Sequence, residues 1–225
     1  AIYLAAQPRP TTQVELAQLG LIEPLPAGQL AAIESGKTIF GSIGCDSCHR
    51  PRLLIDDPIF SEPSRSEHYR DEVFPSGQDP LAEFVDPAHA VTFDLTRDQP
   101  DNVVEAPDGR TVHLGALQKD AQDRGIVELY GDLRRHEMGP DLAENIDEVG
   151  TGPSVWITKE LWGVGSTAPY LHDGRATTLT EAILLHGGEA REERIAFEGL
   201  APGEQADVIA LLENLVIFKQ EEPER

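Results

Sequence analysis

The chain has 225 residues, 26% of them charged, and a formal net charge of −22. That acidic balance argues against nucleic acid or an anionic membrane surface as a partner, and no apolar run approaches the length that spans a bilayer. With 40% hydrophobic residues but only 6% aromatic ones, 17 prolines and 20 glycines, the expectation is one large domain, or a domain with insertions, rich in loops.

Residues 1–26 carry Pro8, Pro10, Pro24 and Pro26 and read as an extended or briefly helical lead-in. From Gly28 to Phe40, the apolar Leu30, Ile33 and Phe40 with small Gly36 fit a helix with one buried face. It closes in Gly41-Ser42-Ile43-Gly44, directly before Cys45-Asp46-Ser47-Cys48-His49. This Cys-x-x-Cys-His stretch is the attachment signature of c-type haem. Each thiol can add across one vinyl group, and the histidine that follows can meet the iron from the proximal side. Both cysteines of the chain lie here. A structural zinc site would need two more soft ligands. A thioredoxin-like dithiol would need a strand-to-helix setting, and a disulfide across two residues is strained. The expected cofactor is therefore one haem c, held by Cys45, Cys48 and His49. Such attachment takes place outside the cytoplasm, so a periplasmic or otherwise extracytoplasmic location, with a leader removed, is expected.

Residues 50–125 differ. Pro51, Pro58, Pro63, Pro75, Pro80 and Pro87 break any long helix. Val91 to Leu95 alternates as a strand would, and Val103 to Ala106 and Arg110 to Leu114 flank the turn Pro107-Asp108-Gly109 as a β-hairpin. The region has too few large apolar residues for its own core and reads as an insertion. Ala121 to Leu133 reads as a short helix or turn, and Arg134 to Pro140 as a loop. Trp156, Leu161 and Trp162 form the most aromatic patch, and Thr167 to Arg175 is turn-rich. A helix is expected from about Leu179 to His186, with a Thr178/Glu181 capping box and a Gly187-Gly188 stop. A last helix starts near Pro202, with Val208, Leu211, Leu212 and Leu215 on one side. Glu221 to Arg225 reads as a disordered tail, and there is no internal repeat. The expected fold is mostly α: a cytochrome c-like haem domain over 27–220, with a loop-rich insertion at 50–125 containing a small β-hairpin.

Several residues compete for the iron face opposite His49. Leu179, Ala182 and Ile183 share a helical face with His186. A polar ring on a buried face needs a partner, and iron or a helix C-terminus would each serve. Met138, the sole methionine, precedes Gly139-Pro140 in a loop of the kind that supplies thioether ligands, or it packs on the haem edge. His172, in a Tyr-Leu-His-Asp-Gly turn, is a candidate for a propionate contact or a redox interface. Arg134, Arg135 and Arg175 are candidates to neutralise propionates, with surface ion pairs as the alternative. His68, His89 and His113 fall in the insertion and read as local hydrogen-bonding residues.

The chain resembles the C-terminal haem half of the bacterial di-haem cytochrome c peroxidase superfamily, above all its di-haem oxidoreductase branch. The resemblance rests on Gly44 to His49, Asp132 to Pro140, Leu161-Trp162-Gly163-Val164-Gly165, Thr167 to Arg175 and Leu179 to Glu189. It covers roughly residues 30–217, interrupted by the insertion. It implies that the distal ligand falls at the position of His186, where the peroxidases carry Met and the methylamine-utilisation branch Tyr. Met138 stays the alternative, and Trp162, His172 and Arg175 are counted with the cofactor surroundings. It also implies calcium on the backbone carbonyls of Thr167 and Pro169. The family carries two haems, whereas this chain has one Cys-x-x-Cys-His, and residues 1–26 look like the connector that follows the missing half.

Three functions follow as expectations. The first is electron transfer through one six-coordinate haem. The second is a peroxidase or peroxide-dependent oxidoreductase half whose second haem lies elsewhere, with His172 or Glu137 moving protons and Trp156 or Trp162 carrying a radical. The third is a structural subunit. Electron transfer is favoured. The expected partner is a redox protein, another haem protein or haem domain, and homo- or hetero-oligomers are open.

Overall fold

The computed structural model describes residues 8–62, 64, 87–98, 102–147 and 150–218. His68 and the 221–225 tail lie outside the described residues. Two units are distinct, one of Ala1–Arg9 with Leu54–Val127, the other of Pro10–Leu53 with Glu128–Arg225.

The second unit holds five helices: α1 (Gln13–Gln18), α2 (Ala27–Ser42), α3 (Leu179–Leu184), α4 (Arg191–Glu198) and α5 (Pro202–Asn214). Its core is Ile33 and Phe40 of α2, Leu179 of α3, Phe197 of α4, and Val208, Leu211 and Leu212 of α5. These are the stripes read from the 3.6-residue period, with one correction. Leu30, expected on the buried face of α2, is 40% exposed, because it sits in the first turns of the helix, ahead of the face that meets α5. Helix α2 crosses α5 so closely that a β-carbon on Gly36 would lie 1.9 Å from the carbonyl oxygen of Asp207. Both ends of the unit are tied together. Thr11–Thr12 pairs antiparallel with Leu215–Val216, the Thr11 hydroxyl donates to the Val216 carbonyl at 2.9 Å, and buried Asn214 accepts the Val14 N–H at 3.1 Å.

The first unit is built from strand pairs. Ile59–Glu62 runs antiparallel to Val91–Asp94, with Phe60 opposite Phe93 at 4.9 Å between ring centroids. The hairpin read around Pro107-Asp108-Gly109 forms, pairing Val103–Glu105 with Thr111–His113. Gln118–Lys119 pairs with Gly125–Val127, so residues 121–133, expected as a short helix or turn, contribute a strand. His113 Nδ1 lies 2.8 Å from the Asp98 carboxylate.

The mostly-α expectation does not hold. Among the described residues 35% are helical and 19% lie in strands, in five small sheets, giving a mixed α/β architecture. The helices are few and short, and the segments between them close their backbone hydrogen bonds by pairing two to four residues at a time.

Candidate haem site

Four stretches of the second unit converge on the Cys-x-x-Cys-His motif. Helix α2 ends at Ser42 with Ile43 as its C-cap, and Gly44 turns the chain at φ +87°, a left-handed conformation that glycine adopts without steric cost. Cys45–Ser47 then forms a single 3₁₀ turn, and the His49 N–H donates to the Cys45 carbonyl at 3.0 Å. The motif is thus wound tightly enough to gather both thiols and the imidazole on one short turn.

The His49 ring stands 6.4 Å from Phe40 and also 6.4 Å from the ring of His186, centroid to centroid. His49 Nδ1 lies 3.1 Å from the Tyr130 carbonyl, and His186 Nδ1 lies 2.7 Å from the Ala182 carbonyl. A carbonyl oxygen can only accept, so both Nδ1 atoms carry the proton and both Nε2 atoms keep a free lone pair. Burial pushes the His49 pKa down to about 4, against the Tyr130 hydrogen bond that favours the charged ring. Burial likewise lowers that of His186. Both rings are therefore neutral at ordinary pH, the form that ligates a metal.

Helix α3 presents His186 just beyond its end. Its capping box is present: the Thr178 hydroxyl accepts the Glu181 N–H at 3.1 Å, and the Glu181 carboxylate accepts the Thr178 N–H at 3.1 Å. Thr178→Ala should therefore cost about 1 kcal/mol, or about 2–4 °C in melting temperature for a chain of this size. An unchanged melting curve would show that the cap does not hold this helix.

Both thiols are free. Burial, with Glu193 and Asp46 nearby, raises the Cys45 pKa to about 12, and burial also raises that of Cys48. Reactive dithiols and thiolate ligands have depressed values, so these are neutral sulfurs, suited to thioether bonds. Cys48 Sγ, Asp132 and His136 have one potential ligand atom each within 4.8 Å of one another. Both His136 nitrogens are already engaged, Nε2 with Asp132 at 3.0 Å and Nδ1 with Glu189 at 2.9 Å. Burial opposes ionisation of Asp132, yet hydrogen bonds from the Arg134 N–H and His136 outweigh it and hold the carboxyl near 2. Asp132, His136 and Glu189 thus form a hydrogen-bonded network beside Cys48. The Asp132-to-His136 spacing stood in the motif, but nothing local marked its link to Glu189, 53 residues on.

The other expected residues fall as follows. A β-carbon on Gly187 would lie 2.8 Å from the Met138 carbonyl, so the Met138 backbone runs beside the residue after His186. His172 stacks on Trp156 at 4.0 Å between centroids and pairs with Glu144 at 3.1 Å. Trp156 donates its indole N–H to the Leu142 carbonyl at 3.0 Å. Arg175 pairs with Asp173 at 2.6 Å and donates to the Asp141 carbonyl. Both His172 and Arg175 thus have protein partners. Trp162 is half-buried, and exposed Thr167 donates its hydroxyl to the Gly163 carbonyl at 3.1 Å. Pro169 is exposed and follows a cis bond.

The residues fit a haem. Two metal–imidazole bonds of about 2 Å, each with about 1.1 Å from nitrogen to ring centre, span roughly 6 Å, the separation of His49 and His186. Residues 111–215 match the family model described as "Di-haem oxidoreductase, putative peroxidase", a match consistent with a di-haem peroxidase-superfamily domain and one that implies haem binding. The matched segment includes His136, Met138, His172 and His186 and begins after the Cys-x-x-Cys-His motif. Neither the comparison with curated proteins nor that with solved structures gave a match. Among the described residues no helix is long and apolar enough to cross a membrane.

Proposed function

We propose that this chain is an electron-transfer domain that carries one covalently attached haem c, closed on both faces by His49 and His186. The carrying observation is the pair of neutral imidazoles 6.4 Å apart, each with Nδ1 anchored to a backbone carbonyl. When bound, haem supplies a one-electron ferric–ferrous couple. Cys45 and Cys48 fix its position, so that it is not lost on a change of charge. The carbonyls of Tyr130 and Ala182 hold the two rings in the tautomer that offers Nε2, and make each imidazole a better donor. Two imidazoles give a lower potential than imidazole with thioether. A peroxidase needs an open position on the iron, which His186 would fill, so peroxide chemistry would require a second haem on another segment or chain. Extracytoplasmic location follows from the covalent attachment.

The test is direct. The holoprotein, expressed with a haem-attachment system, should retain its haem after denaturation in acid, with an intact mass one haem above the 24.6 kDa polypeptide. Its ferric spectrum should be low-spin. Haem extractable into organic solvent, two haems by mass, or a high-spin ferric form would each overturn the reading.

A further inference from the structure

Seven of the fourteen described lysines and arginines form ion pairs with carboxylates within four residues in sequence, while Lys37 on α2 is exposed and forms none among the described residues. Arg110 lies 2.6 Å from Asp108, Arg124 2.6 Å from Asp120 and Arg175 2.6 Å from Asp173. Arg50, Arg52, Arg134, Arg135 and Lys159 behave differently. All five are exposed, and none forms an ion pair among the described residues.

Backbone hydrogen bonds bring them to one place. The Gly131 N–H donates to the Arg50 carbonyl at 3.0 Å, and the Thr158 N–H to the Arg134 carbonyl at 2.8 Å. Arg135–Glu137 pairs antiparallel with Val155–Ile157, setting Arg135 opposite Ile157 and His136 opposite Trp156. Residues opposite each other share a face and neighbours along a strand alternate. The inner face thus carries His136, which reaches Asp132 beside Cys48, and the outer face carries Arg135 and Ile157. Ile157 is 51% exposed, and Leu133, held at φ +58°, is 62% exposed. Glu128 and Glu160 share this region, and exposed Glu137, opposite Val155, lies on the same outer face as Arg135, with its carboxylate accepting the Gly139 N–H at 2.9 Å.

We infer that this outer face docks an electron-carrier protein whose redox centre is ringed by carboxylates. The inference rests on the electron-transfer reading above. Unpaired arginines around exposed apolar side chains are the makings of a protein interface, and local positive charge in a strongly negative molecule selects an acidic surface at contact range. The face backs directly onto the haem-attachment turn, so a docked carrier would have a short path inward. One electron would leave the reduced carrier for a ferric haem held by Cys45, Cys48, His49 and His186, reducing it to ferrous. The carrier is oxidised by one electron, and no bond or proton need move.

The experiment measures reduction of the ferric holoprotein by an acidic flavodoxin hydroquinone in stopped flow, against ionic strength. The wild-type rate should fall as salt screens the local attraction. Arg134→Glu with Arg135→Glu should slow the low-salt rate about tenfold and abolish that fall, with spectrum and midpoint potential unchanged. Arg50→Gln with Arg52→Gln, a milder second variant, should give a smaller loss of the same kind. A wild-type rate that rises with salt, or variants that keep the wild-type salt dependence, would overturn the inference. So would a shifted potential, which would make these arginines haem-propionate partners, or a sedimenting dimer that the charge reversal dissociates, which would make the occupant a second copy. A holoprotein that is high-spin from the outset would instead sink the electron-transfer reading.

Discussion

His186→Ala should convert the ferric protein from low-spin to high-spin and tighten cyanide binding about a hundredfold. The magnitude follows from competition. If the native ring closes the iron about 99% of the time, an external ligand binds only the remaining open fraction, and removing the ring restores its full affinity. The substitution also deletes the hydrogen bond to Ala182, worth about 1 kcal/mol, so some loss of stability will accompany it. Thr178→Ala separates the two effects, since it weakens the same helix and leaves the imidazole in place. Met138→Ala should leave the spectrum unchanged. His186→Met should return a six-coordinate form with a higher potential, because a thioether favours ferrous iron. A His186→Ala protein that stays low-spin and refuses cyanide would remove His186 from the iron, and loss of the low-spin form in Met138→Ala would assign the ligand to that methionine.

What was legible in the sequence was local chemistry. The Cys45, Cys48 and His49 spacing is complete within five residues, and Thr178 with Glu181 fixes the start of the helix that leads to His186. Pro202 and the run Val208, Leu211, Leu212 fix the start and buried face of the last helix, because a buried stripe of period 3.6 needs only its own segment to be seen, but Leu215, read onto that face, leaves the helix for the strand that pairs with Thr12. The ribbon of Arg135–Glu137 with Val155–Ile157 was not legible. Three residues are too few for alternation to show, and its register is set by a partner some twenty residues away. The same holds for Ile59–Glu62, Gln118–Lys119 and Gly125–Val127 in the first unit, whereas Val91–Asp94 and the hairpin of Val103–Glu105 with Thr111–His113 showed their alternation in the sequence. The Asp132–His136–Glu189 network was invisible for a related reason. Its members sit on two segments that meet only after folding, and each alone looks like an ordinary surface charge.

Gly36→Ala is expected to lower the melting temperature of the holoprotein by about 4–8 °C. Alanine is the better helix former by about 1 kcal/mol, so an isolated α2 would gain from the change. In the folded unit the new β-carbon would fall 1.9 Å from the Asp207 carbonyl oxygen and 3.2 Å from Leu211 Cβ. Neither neighbour can rotate away, since one is helix backbone and the other the root of a core side chain. The helices must part, at an overpacking cost of about 3 kcal/mol, which leaves a net loss of about 2 kcal/mol and the stated shift at this chain length. The consequence reaches the site because α2 carries Phe40, whose ring lies 6.4 Å from that of His49, and runs straight into Cys45. Moving α2 off α5 therefore loosens the proximal side, and faster cyanide binding should accompany the lower melting point. Gly28→Ala is the matched control. Its β-carbon would meet nothing within 4 Å, so only the helix-propensity gain remains and the melting point should hold or rise slightly. Equal melting points for the two variants would mean that α2 and α5 do not meet at Gly36 in solution, and the contact that aligns the haem-attachment turn with the core would have to be sought elsewhere.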